Sequence, residues 1–171
     1  MAAIGRLVAT LATESQWETE ALGGCLGRVV RAGDVVLLSG DLGAGKTQLV
    51  KGLAEELGVA EPITSPTFNL MLVHPGRLPL YHFDLYRLET AEQLEDIDYW
   101  ATLEGDGVSA VEWGDRFPEA LPIDGVLVCI EITGDESREL DVSALGPRGE
   151  ALAREWTDAS RTQAAGAGEG A

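Results

Sequence analysis

The sequence predicts a single-domain α/β fold, with a central, largely parallel sheet flanked by helices. Two observations carry this. Strand-like and helix-like patterns alternate along most of the chain, which implies layers of sheet and helix around one core. The second is the run Val35-Val36-Leu37-Leu38, apolar at every position. A strand covered on one face alternates, whereas one covered on both faces reads as a continuous Val/Ile/Leu run, as in parallel sheets.

Taken in order, residues 4–10 suit an edge strand. Thr13 with Gln16, or Ser15 with Glu18, offers a capping box for a helix. Leu22, Leu26 and Val29 then fall at i, i+4 and i+7, an amphipathic stripe ended by Gly33-Asp34. After the apolar run comes a glycine-rich turn, then a helix expected over 46–57 and stopped by Gly58. Further strands are expected at 68–73, 80–83, 108–111 and 126–132, with a short helix at 91–95. Residues 138–145 alternate in part and can add another strand. The last fifteen residues, 157–171, are Ala, Gly and polar; they read as a disordered tail behind a folded domain of 1–156.

At 171 residues, 45% of them hydrophobic, the chain can bury a sizeable core. No apolar run reaches the roughly 18 residues of a membrane span, and residues 1–6 lack the pattern of an export signal. Cys25 and Cys129 have no metal or redox spacing and read as buried apolar residues. A cytoplasmic location is therefore expected. The net charge of −17 repels a phosphate backbone, so tight binding of DNA or RNA by this chain alone is not expected. The acid reads equally as a solvated surface or as a face for a basic protein partner.

The turn itself is Gly40-Asp41-Leu42-Gly43-Ala44-Gly45-Lys46-Thr47, which meets the P-loop pattern G-x-x-x-x-G-K-S/T. Its glycines let the backbone aim N–H groups at phosphates, and the helix beginning at Lys46 directs its positive end at the same anions. Lys46 would reach the β- and γ-phosphates and the Thr47 hydroxyl would ligate Mg²⁺. A P-loop also needs an acid near the metal and a group to position water. Asp84 and Glu112 both end predicted strands, and the carboxyl ends of parallel strands line the ligand crevice. Either can face Mg²⁺, and spacing alone does not divide their roles. The stretch Thr64-Ser65-Pro66-Thr67 reads as an ordinary turn or as a γ-phosphate-sensing switch.

Read together, Gly40 to Thr47, Ser65-Pro66-Thr67-Phe68, His82-Phe83-Asp84-Leu85-Tyr86-Arg87-Leu88 and Val111-Glu112-Trp113 resemble the TsaE (YjeE) family of bacterial ATPases. That family acts in tRNA threonylcarbamoyladenosine biosynthesis, and the resemblance spans residues 19–145. It implies ATP and Mg²⁺ as ligands. Asp41, Leu42, Gly43, Ala44, Gly45, Lys46 and Thr47 would cradle the nucleotide, with Thr47 and Glu112 on Mg²⁺ and Asp84 near the γ-phosphate. Lys46, Asp84 and Glu112 would serve hydrolysis. Trp113 would lie beside the nucleotide as a reporter or partner contact, and Arg138 would touch it from the C-terminal strands. The implied partners are the TsaB and TsaD proteins, with tRNA met only through their complex.

Plainer roles stand beside these. Trp113 fits a core aromatic, His82 a structural histidine, and Arg87 a loop anchor paired to a carboxylate. Gln48 replaces a second Thr common in the family, and residues 94–100 lack a glycine common there. A small-molecule kinase is the main rival, but no downstream segment clusters arginines as a lid. A GTPase would need an Asn-Lys-x-Asp segment, and lysine occurs only at Lys46 and Lys51.

Overall fold

The computed structural model describes residues 3–66 and 68–168; Thr67, the end of the expected switch, and the last three residues of the expected tail lie outside them. The elements run β1 (Arg6–Thr13), α1 (Gln16–Val29), β2 (Val35–Ser39), α2 (Lys46–Glu56), β3 (Met71–His74) and β4 (Leu80–Asp84). Then come a 3₁₀ segment (Ala91–Ile97), α3 (Tyr99–Leu103), β5 (Val108–Glu112), β6 (Gly125–Ile132), β7 (Arg138–Leu145) and α4 (Gly146–Gly168). Among the described residues seven strands form one sheet in the order β1-β7-β6-β2-β5-β4-β3.

The sheet is mixed, with a parallel block of four strands at its centre. Strands β6, β2, β5 and β4 are parallel, while β7, β1 and β3 join antiparallel. The connections explain this. β6 and β7 are joined by a tight turn closed by Thr133 N–H donating to the Ser137 carbonyl at 3.1 Å, and so short a link allows only antiparallel pairing.

The apolar run of β2 sits at the centre, with Val36 and Leu38 packed into one core and Val35 and Leu37 into the other. The first core lies under α1, α2 and α4; the second lies under α3, the 3₁₀ segment and Phe117. Of the two candidate caps for α1, Ser15 is used: its Oγ accepts from Glu18 N–H at 3.2 Å. Helices α1 and α2 meet backbone to backbone. A Cβ on Gly52 would lie 1.8 Å from the Glu20 carbonyl oxygen, and one on Gly23 would lie 2.1 Å from that of Leu49.

Two expectations are corrected. The strand expected from residue 68 starts at Met71, because Leu70 takes a left-handed conformation (φ 60°) that turns the chain into β3. The tail expected to be disordered from Thr157 is instead the second half of α4, helical to Gly168. Trp156, Thr157 and Ser160 are buried, and Trp156 Nε1 donates to the Leu22 carbonyl at 2.8 Å. Further out, Gln163 Oε1 accepts from Cys25 Sγ and Arg28. Small and polar residues hold this half to α1, so apolar content understated it. At the other end of α4, Arg148 makes a bidentate pair with the buried Asp34, at 2.9 and 2.7 Å.

Candidate nucleotide site

The site lies at the carboxyl edge of the parallel strands. β2 ends at Ser39, and the loop 40–45 returns the chain into α2. That reversal needs left-handed backbone at Gly40 (φ 147°), Gly43 (φ 81°) and Gly45 (φ 108°). Gly40 also lacks room for a side chain, since its Cβ would sit 2.6 Å from the Ile130 carbonyl oxygen. Lys46 and Thr47 form the first turn of α2, where unpaired N–H groups and the helix dipole favour an anion.

Beside the loop opens a cleft of about 380 Å³, lined among others by Gly43, Gly45, Lys46, Thr47, Ser65, Glu112, Trp113 and Arg138. The parallel register sets Asp84 directly beside Glu112 at the ends of β4 and β5. Both acids are buried, as is Lys46. Thr47 Oγ1 donates to Glu112 Oε1 at 2.9 Å, and the other oxygen of Glu112 lies 2.6 Å from His82 Nε2. Asp84 accepts from Ser65 Oγ at 2.8 Å and from Tyr86 N–H at 3.0 Å. Thr47, Ser65 and Glu112 line the cleft, and Asp84 joins them through its bond to Ser65 and its place beside Glu112.

Lys46 Nζ donates to the carbonyls of Gly40 (2.5 Å) and Asp41 (2.9 Å) and stands 4.4 Å from the centre of the Trp113 ring. Burial pushes its pKa below the ordinary lysine value, opposed by the nearby carboxylates of Glu112, Asp84, Asp41 and Asp115. A buried ammonium whose direct hydrogen bonds among the described residues go to backbone carbonyls, with a π-face beside it, can exchange those carbonyls for an anionic partner.

Arg138 borders the cleft, and its guanidinium donates to the loop carbonyls of Ala44 (2.9 Å) and Gly43 (3.2 Å). It therefore braces the outer wall of the loop. Asp41 and Leu42 are exposed at the loop's tip.

Three residues that carried a plainer structural role beside the family one can now be placed. Trp113 is not core: it is half-buried, takes a left-handed backbone (φ 60°), and tilts against Tyr86 with ring centres 5.0 Å apart. His82 is buried but touches Glu112 directly. Arg87 stacks over Phe68 at 4.6 Å, and among the described residues it pairs with no carboxylate. Gln16 and Thr19 at the start of α1, and Glu136 before β7, also line the cleft and carried no sequence signal. They reach it only because α1 and the β6–β7 turn fold over the loop.

The donor set suits Mg²⁺. Thr47 Oγ1 and Glu112 Oε1, hydrogen-bonded to each other at 2.9 Å, are hard oxygen donors of the kind Mg²⁺ takes. Among the described residues no three His, Cys, Asp or Glu side chains converge into a metal cage. Two protein oxygens beside an anion site are what Mg²⁺ shared with phosphates requires. Among the described residues no helix is long and apolar enough to cross a membrane.

Comparisons with known proteins agree with this architecture. Residues 13–140 match the family model described as "Threonylcarbamoyl adenosine biosynthesis protein TsaE". A tRNA threonylcarbamoyladenosine biosynthesis protein TsaE from Treponema pallidum is 44% identical over 131 residues, covering 77% of this chain and 97% of the relative. The protein of the same name from Bacillus subtilis is 41% identical over 139 residues, 81% of this chain and 87% of the relative. The crystal structure of Bacillus subtilis YdiB superposes with a TM-score of 0.75 at 34% identity, covering 92% of this chain and 98% of that one. With a matching family model over most of its length and relatives above 40% identity, this chain is a member of the TsaE family of tRNA threonylcarbamoyladenosine biosynthesis proteins.

Proposed function

We propose that this protein is the ATP-binding and ATP-hydrolysing subunit of the bacterial, cytoplasmic machinery that places threonylcarbamoyl on the adenosine next to the tRNA anticodon. It acts with the TsaB and TsaD proteins and allows their complex to turn over. The observation that carries this reading is that Lys46 and Thr47, at the start of α2, share one cleft with the buried strand-end acid Glu112, while the second buried acid, Asp84, stands beside Glu112 and is tied to the cleft through Ser65.

In this reading the loop 40–47 holds the ATP phosphates, and Lys46 exchanges the carbonyls of Gly40 and Asp41 for phosphate oxygens. Thr47 and Glu112 hold Mg²⁺, which supplies charge stabilisation on the transferring phosphoryl group. Asp84, fixed by Ser65 and the Tyr86 N–H, orients the attacking water and accepts its proton at a carboxylate oxygen. Trp113 shields one side of the Lys46 ammonium.

The cleft offers one arginine among its described lining, and Arg138 is engaged with loop carbonyls. An added cation over the transferring phosphoryl group raises rates by a factor on the order of 10³–10⁵. Slow hydrolysis by the lone chain and stimulation by TsaB–TsaD follow. The test is ATP turnover with and without that complex, together with partner affinity in ATP, ADP and no nucleotide and a tRNA titration of the lone chain. The reading expects stimulated turnover, nucleotide-dependent docking and no tight tRNA binding. Equal partner affinity in all three nucleotide states, or strong tRNA binding by the lone chain, would overturn it.

A further inference from the structure

We infer that His82 is a positioning residue for Glu112, locking that carboxylate in the orientation that presents Oε1 to the metal side of the cleft. The inference rests on Glu112 belonging to the Mg²⁺–nucleotide site. His82 lies on β4 opposite Ala110 of β5, inside the core shared with α2, and is fully buried. Its Nε2 is 2.6 Å from Glu112 Oε2, while Glu112 Oε1 accepts from Thr47 at 2.9 Å. A carboxylate only accepts hydrogen bonds, so Nε2–H is the donor.

The rest of the ring gains nothing from polarity. Nδ1 has no hydrogen-bond partner among the described residues. A buried, half-satisfied imidazole is a poorer core residue than an aliphatic one, and such exceptions call for another role. The bond to Glu112 supplies it. With Oε2 tied to a side chain that cannot reorient in a packed core, the carboxylate cannot rotate to offer both oxygens to an ion. Oε1 remains the one aimed at Thr47. Partners that fix a ligating carboxylate from behind commonly change metal affinity when removed.

Position 82 separates reach from polarity. In His82→Gln the amide nitrogen lies near the place of Nε2 and can still donate to Glu112. In His82→Asn the amide falls short of it. ADP affinity is measured calorimetrically on the intact chain, with and without Mg²⁺, for wild type, both variants and Glu112→Gln. His82→Asn is expected to weaken the Mg²⁺-dependent gain in ADP affinity by about 10–100-fold and to leave metal-free ADP affinity unchanged. His82→Gln is expected to restore the wild-type gain. Equal behaviour of the Asn and Gln variants, or parallel loss of metal-free affinity in His82→Asn, overturns the inference. If Glu112→Gln loses the Mg²⁺-dependent gain while His82→Asn keeps it, only the role of His82 fails. If Glu112→Gln keeps it, the assignment of Glu112 to the metal fails, and the role of His82 with it.

Discussion

Replacing Gly52 by alanine tests whether backbone contact between α1 and α2 builds the site. Two effects oppose each other. Alanine is favoured over glycine inside a helix by about 1 kcal/mol. Against this, the new Cβ would lie 1.8 Å from the Glu20 carbonyl oxygen, 2.8 Å from the Glu20 carbonyl carbon and 2.9 Å from Gly24 N. All three are backbone atoms of α1, so no side chain can swing aside and the helices must part. Overpacking of this kind costs about 1–3 kcal/mol and sometimes more, and a contact against rigid backbone belongs at the upper end. The net loss is then about 2 kcal/mol, a fall in Tm of about 4–8 °C for a domain of this size. Gly24→Ala is the control. It adds the same methyl group to the facing helix, but its nearest neighbour is the Gly52 carbonyl oxygen at 3.9 Å. Helix propensity acts alone there, and Tm should rise by about 2–4 °C. Because α2 begins with Lys46 and Thr47 and α1 lines the cleft through Gln16 and Thr19, Gly52→Ala should also weaken nucleotide binding. Thermal melts with a fluorescent-nucleotide titration decide the matter. A Gly52→Ala variant as stable as wild type, or shifts of the same sign in both variants, would refute the reasoning.

Lys46→Ala should abolish productive ATP binding with the fold intact, since burial disfavours the charge that the substitution removes; wild-type nucleotide affinity in a folded variant would remove the P-loop reading. Asp84→Ala and Glu112→Ala should lose hydrolysis more than ATP binding, because carboxylates acting through metal or water count most as charge develops; parental turnover by either variant in the TsaB–TsaD complex would make that residue structural. Tyr99→Phe should stabilise the chain by about 1 kcal/mol, since the buried hydroxyl has no partner among the described residues. Burial also holds the Tyr99 phenol well above its ordinary 10.0. The unfolded chain releases that proton above pH 10 while the folded chain keeps it, so this contribution is intact below pH 10 and lost as pH rises beyond it. Urea melts on either side of pH 10 should therefore show the wild type losing more stability than Tyr99→Phe.

What was legible in the sequence is what neighbouring residues decide among themselves. The glycines of the loop, the lysine and threonine after them and the apolar run before them are one continuous stretch, Val35 to Thr47. Its strand–turn–helix form follows from local sterics and from burial on both faces. Strand-end placement of Asp84 and Glu112 followed from pattern, and parallel pairing then set them side by side. Which groups those acids touch was not local. His82 reaches Glu112 across 30 residues of chain and Thr47 reaches it across 65, so only the packing of β4, β5 and α2 decides the network. For Trp113 the sequence left a core aromatic and a place beside the nucleotide both open, and its left-handed backbone after β5, which turns the ring over Lys46, is what decides between them. The second half of α4 looked featureless because it carries few apolar residues. It is ordered by Trp156, Thr157, Ser160 and Gln163 meeting α1, a contact between the two ends of the chain. Composition measures how much a segment can bury, whereas hydrogen bonds and small-residue fit depend on what lies opposite, and only the tertiary structure supplies that.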